Sequence, residues 1–279
     1  MTQLGARTPS YAKLNKCLLV GKPRPDGMHP IWSVFQTISL ADTLTMEKTT
    51  TPGEWALTCS NPDVPCDERN LLSQIIAPYL SSLSFGIRVH IDKQIPIGGG
   101  LGGGSSNAGV FLNWLNEAAG WNKSPEKLKE EALPYGSDIP FFIQGGTALV
   151  EEVGNQITKL DEPDDWWGVL INPNLHSDTA KVYHKFDSMD LGRDTFPESI
   201  DERALYQGTN DLTPAITACL PDLEKLSDWV QFELDREFNI SGSGATCFID
   251  CDNEKDATRL ATLLKSQWPD YWIKSVHSV

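Results

Sequence analysis

The sequence predicts a mixed fold of strands and helices, built as one large α/β unit or as two lobes sharing a cleft. Three observations carry this. The chain has 279 residues, long for one simple domain and short for three. Its apolar residues alternate in some stretches with the period of two of a half-buried strand, and recur in others at the spacing of an amphipathic helix. Its texture changes near residue 165, where Trp166-Trp167 and the run GVLINP give way to a polar, Asp-rich stretch reaching about residue 212. A boundary there divides the chain into 1–164 and 165–279, two parts that need not fold independently.

The elements follow in order. Residues 11–50 alternate in the β manner, with Leu18 and Val20 in one run and Val34, Ile38 and Leu40 in the next. The turn cluster Lys22-Pro23-Arg24-Pro25-Asp26-Gly27 separates the runs, so the chain opens like a hairpin. A helix is expected over 70–83. Residues 85–95 (FGIRVHIDKQI) read as a strand with Ile87, Val89 and Ile91 on one face and Arg88, His90 and Asp92 on the other. A helix over 105–119 shows its apolar face in Ala108, Phe111, Leu112, Leu115, Ala118 and Ala119, with Gly120 at the C′ position. The next helix is signalled by Ser124 as N-cap and Pro125 at N1, and stops at Pro134. Strands are expected over 143–160 around Gly145-Gly146 and Gly154, helices over 214–238, a strand over 245–251 and a last helix over 254–267. There are no internal repeats.

Composition narrows the function. With 40% apolar, 9% aromatic and 22% charged residues, the chain has material for an ordinary core. A net charge of −15 argues against a nucleic-acid footprint, which needs an excess of Lys and Arg. It does not exclude a small anion, which needs only a nest of backbone N–H groups and one or two cations. The N-terminal MTQLGARTPS lacks the apolar core of a signal peptide, and no apolar run reaches about 18 residues, so neither secretion nor membrane insertion is expected. Six cysteines show no metal-ligand spacing. Cys247 and Cys251 share one face of a strand-like run and read as core thiols, in keeping with a reducing cytoplasm.

The most informative stretch is Pro96-Ile97-Gly98-Gly99-Gly100-Leu101-Gly102-Gly103-Gly104-Ser105-Ser106. A loop with almost no Cβ atoms can turn its N–H groups inward and let a phosphate approach the backbone. The helix that follows offers its positive end to an anion. A flexible linker would run on into polar text instead. The Walker pattern needs a Lys where Gly104 stands. The match to the dinucleotide fingerprint is what any glycine-rich run gives, and the ribose-binding acid expected about 20 residues on is missing.

The run PIGGGLGGGSSNA resembles the second motif of the GHMP kinases, the superfamily of galactokinase, homoserine kinase and mevalonate kinase. Ser241-Gly242-Ser243-Gly244-Ala245 looks like the third motif. Tyr11-Ala12-Lys13-Leu14-Asn15, Arg24-Pro25-Asp26-Gly27-Met28-His29, Gly136-Ser137-Asp138-Ile139-Pro140-Phe141-Phe142 and Thr209-Asn210-Asp211-Leu212 are similar to motifs of one branch. That branch phosphorylates a cytidine diphosphate-linked methylerythritol in the non-mevalonate route to isoprenoids. The matches span nearly the whole chain and keep their order.

The resemblance implies an α+β, two-lobed GHMP kinase-like fold. Its N-terminal, ATP-binding lobe is like domain 2 of ribosomal protein S5 and its C-terminal lobe is ferredoxin-like. It implies ATP and Mg²⁺ as cofactors, a small-molecule acceptor, no nucleic-acid or membrane partner, and a monomer or homodimer. Asp138 would be the base that takes the hydroxyl proton, and Lys13 would stabilise charge on the transferred phosphoryl. Residues 96–106 would hold the ATP phosphates, with a hydroxyl of Ser105 or Ser106 open to Mg²⁺ and Asn70 and Lys93 toward adenine. Asn15, Met28, His29, Thr179, Tyr183, Gly242, Ser243 and Gly244 would bind the acceptor. The branch usually carries Tyr at position 28; Met28 trades aromatic stacking for a sulfur–π contact of about 0.3–1.5 kcal/mol. On the residues alone, Asp138 is equally a helix N-cap, Lys13 a surface lysine, His29 a turn histidine and Tyr183 a core tyrosine. Other acceptors (mevalonate, homoserine, a sugar) and a non-catalytic nucleotide-binding regulator are the competing readings.

Overall fold

A computed structural model describes residues 5–161, 165–201 and 206–279. The chain forms two compact units that interleave along the sequence. One takes the chain up to Ala12, Leu40–Ile97 and Gly102–Gly145; the other takes Lys13–Ser39, Gly98–Leu101 and Gly146–Val279. Two long strands, β1 (Ala6–Val20) and β2 (Ile31–Thr49), each give one stretch to either unit.

In the first unit, β4 (Gly86–Asp92) runs antiparallel to Thr43–Thr49 of β2 and parallel to β3 (Trp55–Cys59). The expected alternation holds: Ile87, Val89 and Ile91 are buried, and Arg88 and His90 are exposed. They meet α2 (Gly103–Ala118) through Phe111, Leu112 and Leu115 in one core. α1 (Leu71–Ile76), α3 (Pro125–Ala132) and α4 (Ile139–Phe142) complete this layer. Gly109 lets α2 and α4 close up, since a Cβ there would lie 2.8 Å from that of Phe142.

In the second unit, β2 pairs through Ile31–Gln36 with β5 (Thr147–Glu152), and β5 with β6 (Gln156–Lys159). A four-stranded antiparallel sheet has the order β10-β7-β9-β8, from β7 (Trp167–Asn172), β8 (Asn239–Ile240), β9 (Cys247–Cys251) and β10 (Trp272–His277). α5 (Thr179–Ser188), α6 (Thr213–Cys219), α7 (Asp222–Leu234) and α8 (Glu254–Gln267) pack against it. The core joins Leu18 and Val20 to Val169, Ile171, Phe186, Cys247, Ile249 and Leu264. Cys247 is wholly buried, as a core thiol should be.

Several elements differ from expectation: β3 has no counterpart in it, and α5 lies in the stretch read only as polar. The helix expected over 70–83 ends at Ile76 and resumes as a 3-10 turn at Leu80–Ser82; Ala77 still has helical backbone and donates to Ser73 O, and Pro78 after it has no N–H with which to continue the ladder. α2 begins at Gly103, two residues early, with Gly102 at φ +69° in the position before it. β10 was not legible. Only Ile273 and Val276 of it are buried, a spacing of three rather than two. No helix of the described residues is long and apolar enough to cross a membrane.

Candidate active site

The glycine loop is held by its carbonyls. Gly98 O accepts from Ser177 N (3.3 Å), Gly99 O from Thr246 N (3.1 Å) and Leu101 O from Lys13 N (3.0 Å). Gly100 O accepts from Ser241 Oγ (3.1 Å). Among the described residues, no backbone N–H from Gly98 to Gly104 donates to a protein acceptor. With four successive carbonyls accepting from the protein, the amide hydrogens have the chemistry that an anion-binding nest requires. The glycines are required here. Gly98 and Gly100 have φ +63° and +76°, and a Cβ would meet the His176 ring at 2.0 Å and Ser241 O at 2.1 Å, respectively. Of the flanking Pro96 and Ile97, Ile97 is 38% exposed.

Lys13 is not the surface lysine its sequence context allows. It is 3% exposed, its Nζ lies 2.7 Å from Asn15 Oδ1 and 4.2 Å from the centre of the Phe35 ring. An acceptor and a ring face are what a desolvated ammonium needs. Asn15 is in turn fixed by donating to Ser33 Oγ (2.9 Å) and by its own N–H to Ser241 Oγ (3.2 Å). Ser241 thus ties the Lys13–Asn15 strand and the glycine loop to the third motif. In that motif Gly242 and Gly244 both have positive φ. Asn210 Nδ2 donates to Ile240 O (2.9 Å) and Gly242 O (2.8 Å), so the Thr209–Leu212 segment holds the turn. Ser177 Oγ donates to Ser243 O (2.6 Å), and the hydroxyls of Thr179 and Ser243 are 2.8 Å apart.

His29 and Tyr183 come together, their ring centres 4.9 Å apart and tilted by 45°. His29 Nε2 lies 2.7 Å from Asp187 Oδ1. Its ring packs on α5 rather than stabilising the turn, which is closed by Arg24 and by Asp26 accepting from Met28 N (3.0 Å). Tyr183 does sit partly in the core of its unit, as one reading allowed. Met28 is 47% exposed. Asp187 was missed, because a carboxylate in a polar helix has no signature until the fold brings a histidine to it.

In the first unit, Asp138 stands before α4 but does not cap it. Its backbone is helical (φ −84°, ψ −16°) and its side chain makes no capping hydrogen bond, so the N-cap reading is overturned. Lys93, 6% exposed at its side chain, pairs with Asp42 at 2.7 Å; burial pulls its pKa down and Asp42 opposes this. Asn70 caps α1 through Leu72 N and donates to Pro65 O (2.7 Å). Ser106 is committed to the protein, its hydroxyl 2.7 Å from Ser10 Oγ and donating to Tyr11 O at 2.6 Å. Asn107 Oδ1 is buried without a hydrogen-bond partner among the described residues.

Residues 70–146 match the family model described as the GHMP kinases N terminal domain. A protein of Cupriavidus metallidurans named 4-diphosphocytidyl-2-C-methyl-D-erythritol kinase is 35% identical over 96% of this chain and 92% of its own length. One of the same name from Geobacter metallireducens is 32% identical over the whole of both chains. Among solved structures, a 4-(cytidine 5'-diphospho)-2C-methyl-D-erythritol kinase superposes with a TM-score of 0.77 at 28% identity, covering 97% of this chain and 99% of that one. Homoserine kinase from Cytophaga hutchinsonii shares the fold, with a TM-score of 0.70 at 15% identity over 99% of this chain and 95% of its own.

Proposed function

The chain belongs to the 4-diphosphocytidyl-2-C-methyl-D-erythritol kinase family of the GHMP kinases, and on that premise we propose that it transfers the γ-phosphoryl group of ATP to the 2-hydroxyl of 4-diphosphocytidyl-2-C-methyl-D-erythritol. The single observation that carries the ATP half of this reading is the glycine loop, with its carbonyls held by the protein and its amide hydrogens unused. Such a nest suits phosphate oxygens, which accept and never donate.

The roles follow from the chemistry. Phosphoryl transfer asks for alignment, for neutralisation of the charge spread over the transferred group, and for a group to take the hydroxyl proton. Asp138 takes the proton as the substrate oxygen attacks phosphorus and the bond to the ADP oxygen breaks. Its place in the Gly136–Phe142 motif, just before α4, is what supports this role. Lys13, desolvated beside Asn15 and Phe35, supplies a cation whose charge counts for more than it would in water. Bound with ATP, Mg²⁺ would supply neutralisation of phosphate charge. Of the two candidate hydroxyls Ser105 fits it, since Ser106 is already held by Ser10 and Tyr11.

On the acceptor side, His29 and Tyr183 form the wall for the cytosine ring and Met28 the exposed cover. Asn15, Thr179, Gly242, Ser243 and Gly244 line the path of the diphosphate and tetrol. Asn70, anchored within its own helix cap, and Lys93 belong to the adenine side. The division into lobes 1–164 and 165–279 remains part of the proposal: all strands of the four-stranded sheet lie after residue 165, while the compact unit that holds them also takes Lys13–Ser39, Gly98–Leu101 and the chain from Gly146. A soluble enzyme of isoprenoid precursor synthesis, acting in the cytoplasm, completes the reading.

A panel of acceptors tests it. With Mg-ATP, release of ADP is expected with the cytidine-linked methylerythritol and not with mevalonate, homoserine or galactose. Turnover confined to one of the latter three contradicts the acceptor, and no turnover with any of them contradicts the kinase reading.

A further inference from the structure

Asp42 lies on β2 with no exposed surface and receives four hydrogen bonds. Its Oδ1 accepts from the backbone N–H groups of Gln94 (2.7 Å) and Ile95 (2.8 Å), the residues that lead into Pro96. Its Oδ2 accepts from Lys93 Nζ (2.7 Å) and from Asn107 Nδ2 (3.1 Å), just beyond Ser106 on α2. One carboxylate therefore grips the chain on both sides of the glycine run. The glycines bring no side chains of their own by which that run could be held.

We propose that Asp42 is the positioning residue of the phosphate loop, fixing the chain before Pro96 and the helix after Gly104 so that nucleotide phosphates are bound tightly. The inference rests on reading the loop as the ATP phosphate site, and names a residue outside the loop that sets its affinity.

Lys93 supplies an independent reason. Its Nζ lies 3.1 Å from where a Cβ on Gly103 would be. A cation beside the first residue of a helix faces the helix's positive end, which disfavours it. Asp42 offsets that repulsion. If packing were the only need, apolar side chains of similar volume would serve as well as a buried ion pair. An ammonium held at this end of α2 has a use when a polyanion docks there.

The test compares binding of ADP and of cytidine diphosphate by calorimetry in the wild type, Asp42→Asn and the exchange variant Asp42→Asn/Asn107→Asp. Asp42→Asn keeps an acceptor for Gln94 and Ile95 but turns an amide donor toward Lys93 and Asn107. ADP affinity should fall roughly tenfold or more, equivalent to about 1.4 kcal/mol, while cytidine diphosphate affinity stays within about twofold. The exchange variant, which again sets a carboxylate beside Lys93, should recover most of the loss. Wild-type ADP affinity in Asp42→Asn would overturn the proposal. So would equal loss for both ligands, or loss of the fold in both variants, either of which makes Asp42 a general stabiliser. A wild type that binds no ADP would instead strike at the reading of the loop.

Discussion

Asp138 and Lys13 carry the chemical weight of the account. Asp138→Asn keeps the shape of the side chain and removes its basicity, so kcat should fall by about 10²–10⁴ with ADP affinity unchanged. Near-normal turnover would remove Asp138 from the role of base. Lys13→Met should lower kcat by about a hundredfold or more, because the cation it removes is buried beside Asn15. Neither role was legible from local sequence: an Asp before Ile-Pro looks like a cap, and a Lys on a strand looks like surface. What suggested them was the resemblance of the surrounding motifs, in their order, to those of the GHMP kinases. Asp42, Asp187 and His176 lay beyond reach, since each takes its meaning from a partner at least 50 residues away in the chain.

At the scale of elements, the glycine loop is the one most fully written in the sequence. Six glycines around Leu101 announced a backbone site, and the positive φ at Gly98, Gly100 and Gly102 accounts for three of them. The partners of the loop's carbonyls, Ser177, Ser241 and Thr246, come from far along the chain and were not foreseen. Gly100→Ala should cost about 1–3 kcal/mol of stability and raise KM for ATP, because its Cβ would press on Ser241 O; denaturation and steady-state kinetics check both.

α8 offers a second, unrelated prediction. Arg236 pairs with Asp256 at 2.8 Å and holds its carboxyl below the usual range, chiefly through the side-chain hydrogen bond. A lowered folded pKa gives stability that is full above the unfolded value of about 3.9 and is lost as pH falls through the folded value. Arg236→Met should therefore be less stable than wild type by about 1 kcal/mol near neutrality. That gap in urea unfolding should shrink as pH drops from about 6 to about 3. Helix α8 itself was read to its end residues, because Asn253 and Gln267 bracket a clean apolar face; β10 was not, because two buried residues three apart imitate no period.

For the whole molecule, the sequence pointed to a mixed fold with a change of texture near residue 165, and the four-stranded sheet draws its strands only from beyond that point. It did not reveal that β1 and β2 each serve both compact units, since a strand's alternation says which face is buried but not against which core. The central claim is that this chain places a phosphoryl group on the 2-hydroxyl of a cytidine-linked tetrol. The carbon at that position bears a methyl group and no hydrogen, so its phosphate ester has no proton three bonds from phosphorus. Phosphorus NMR of the product, recorded with proton coupling, is thus the most direct test. The account predicts a new phosphomonoester singlet with the substrate's diphosphate signals intact. A proton-coupled doublet or triplet, or inorganic phosphate alone, would contradict it.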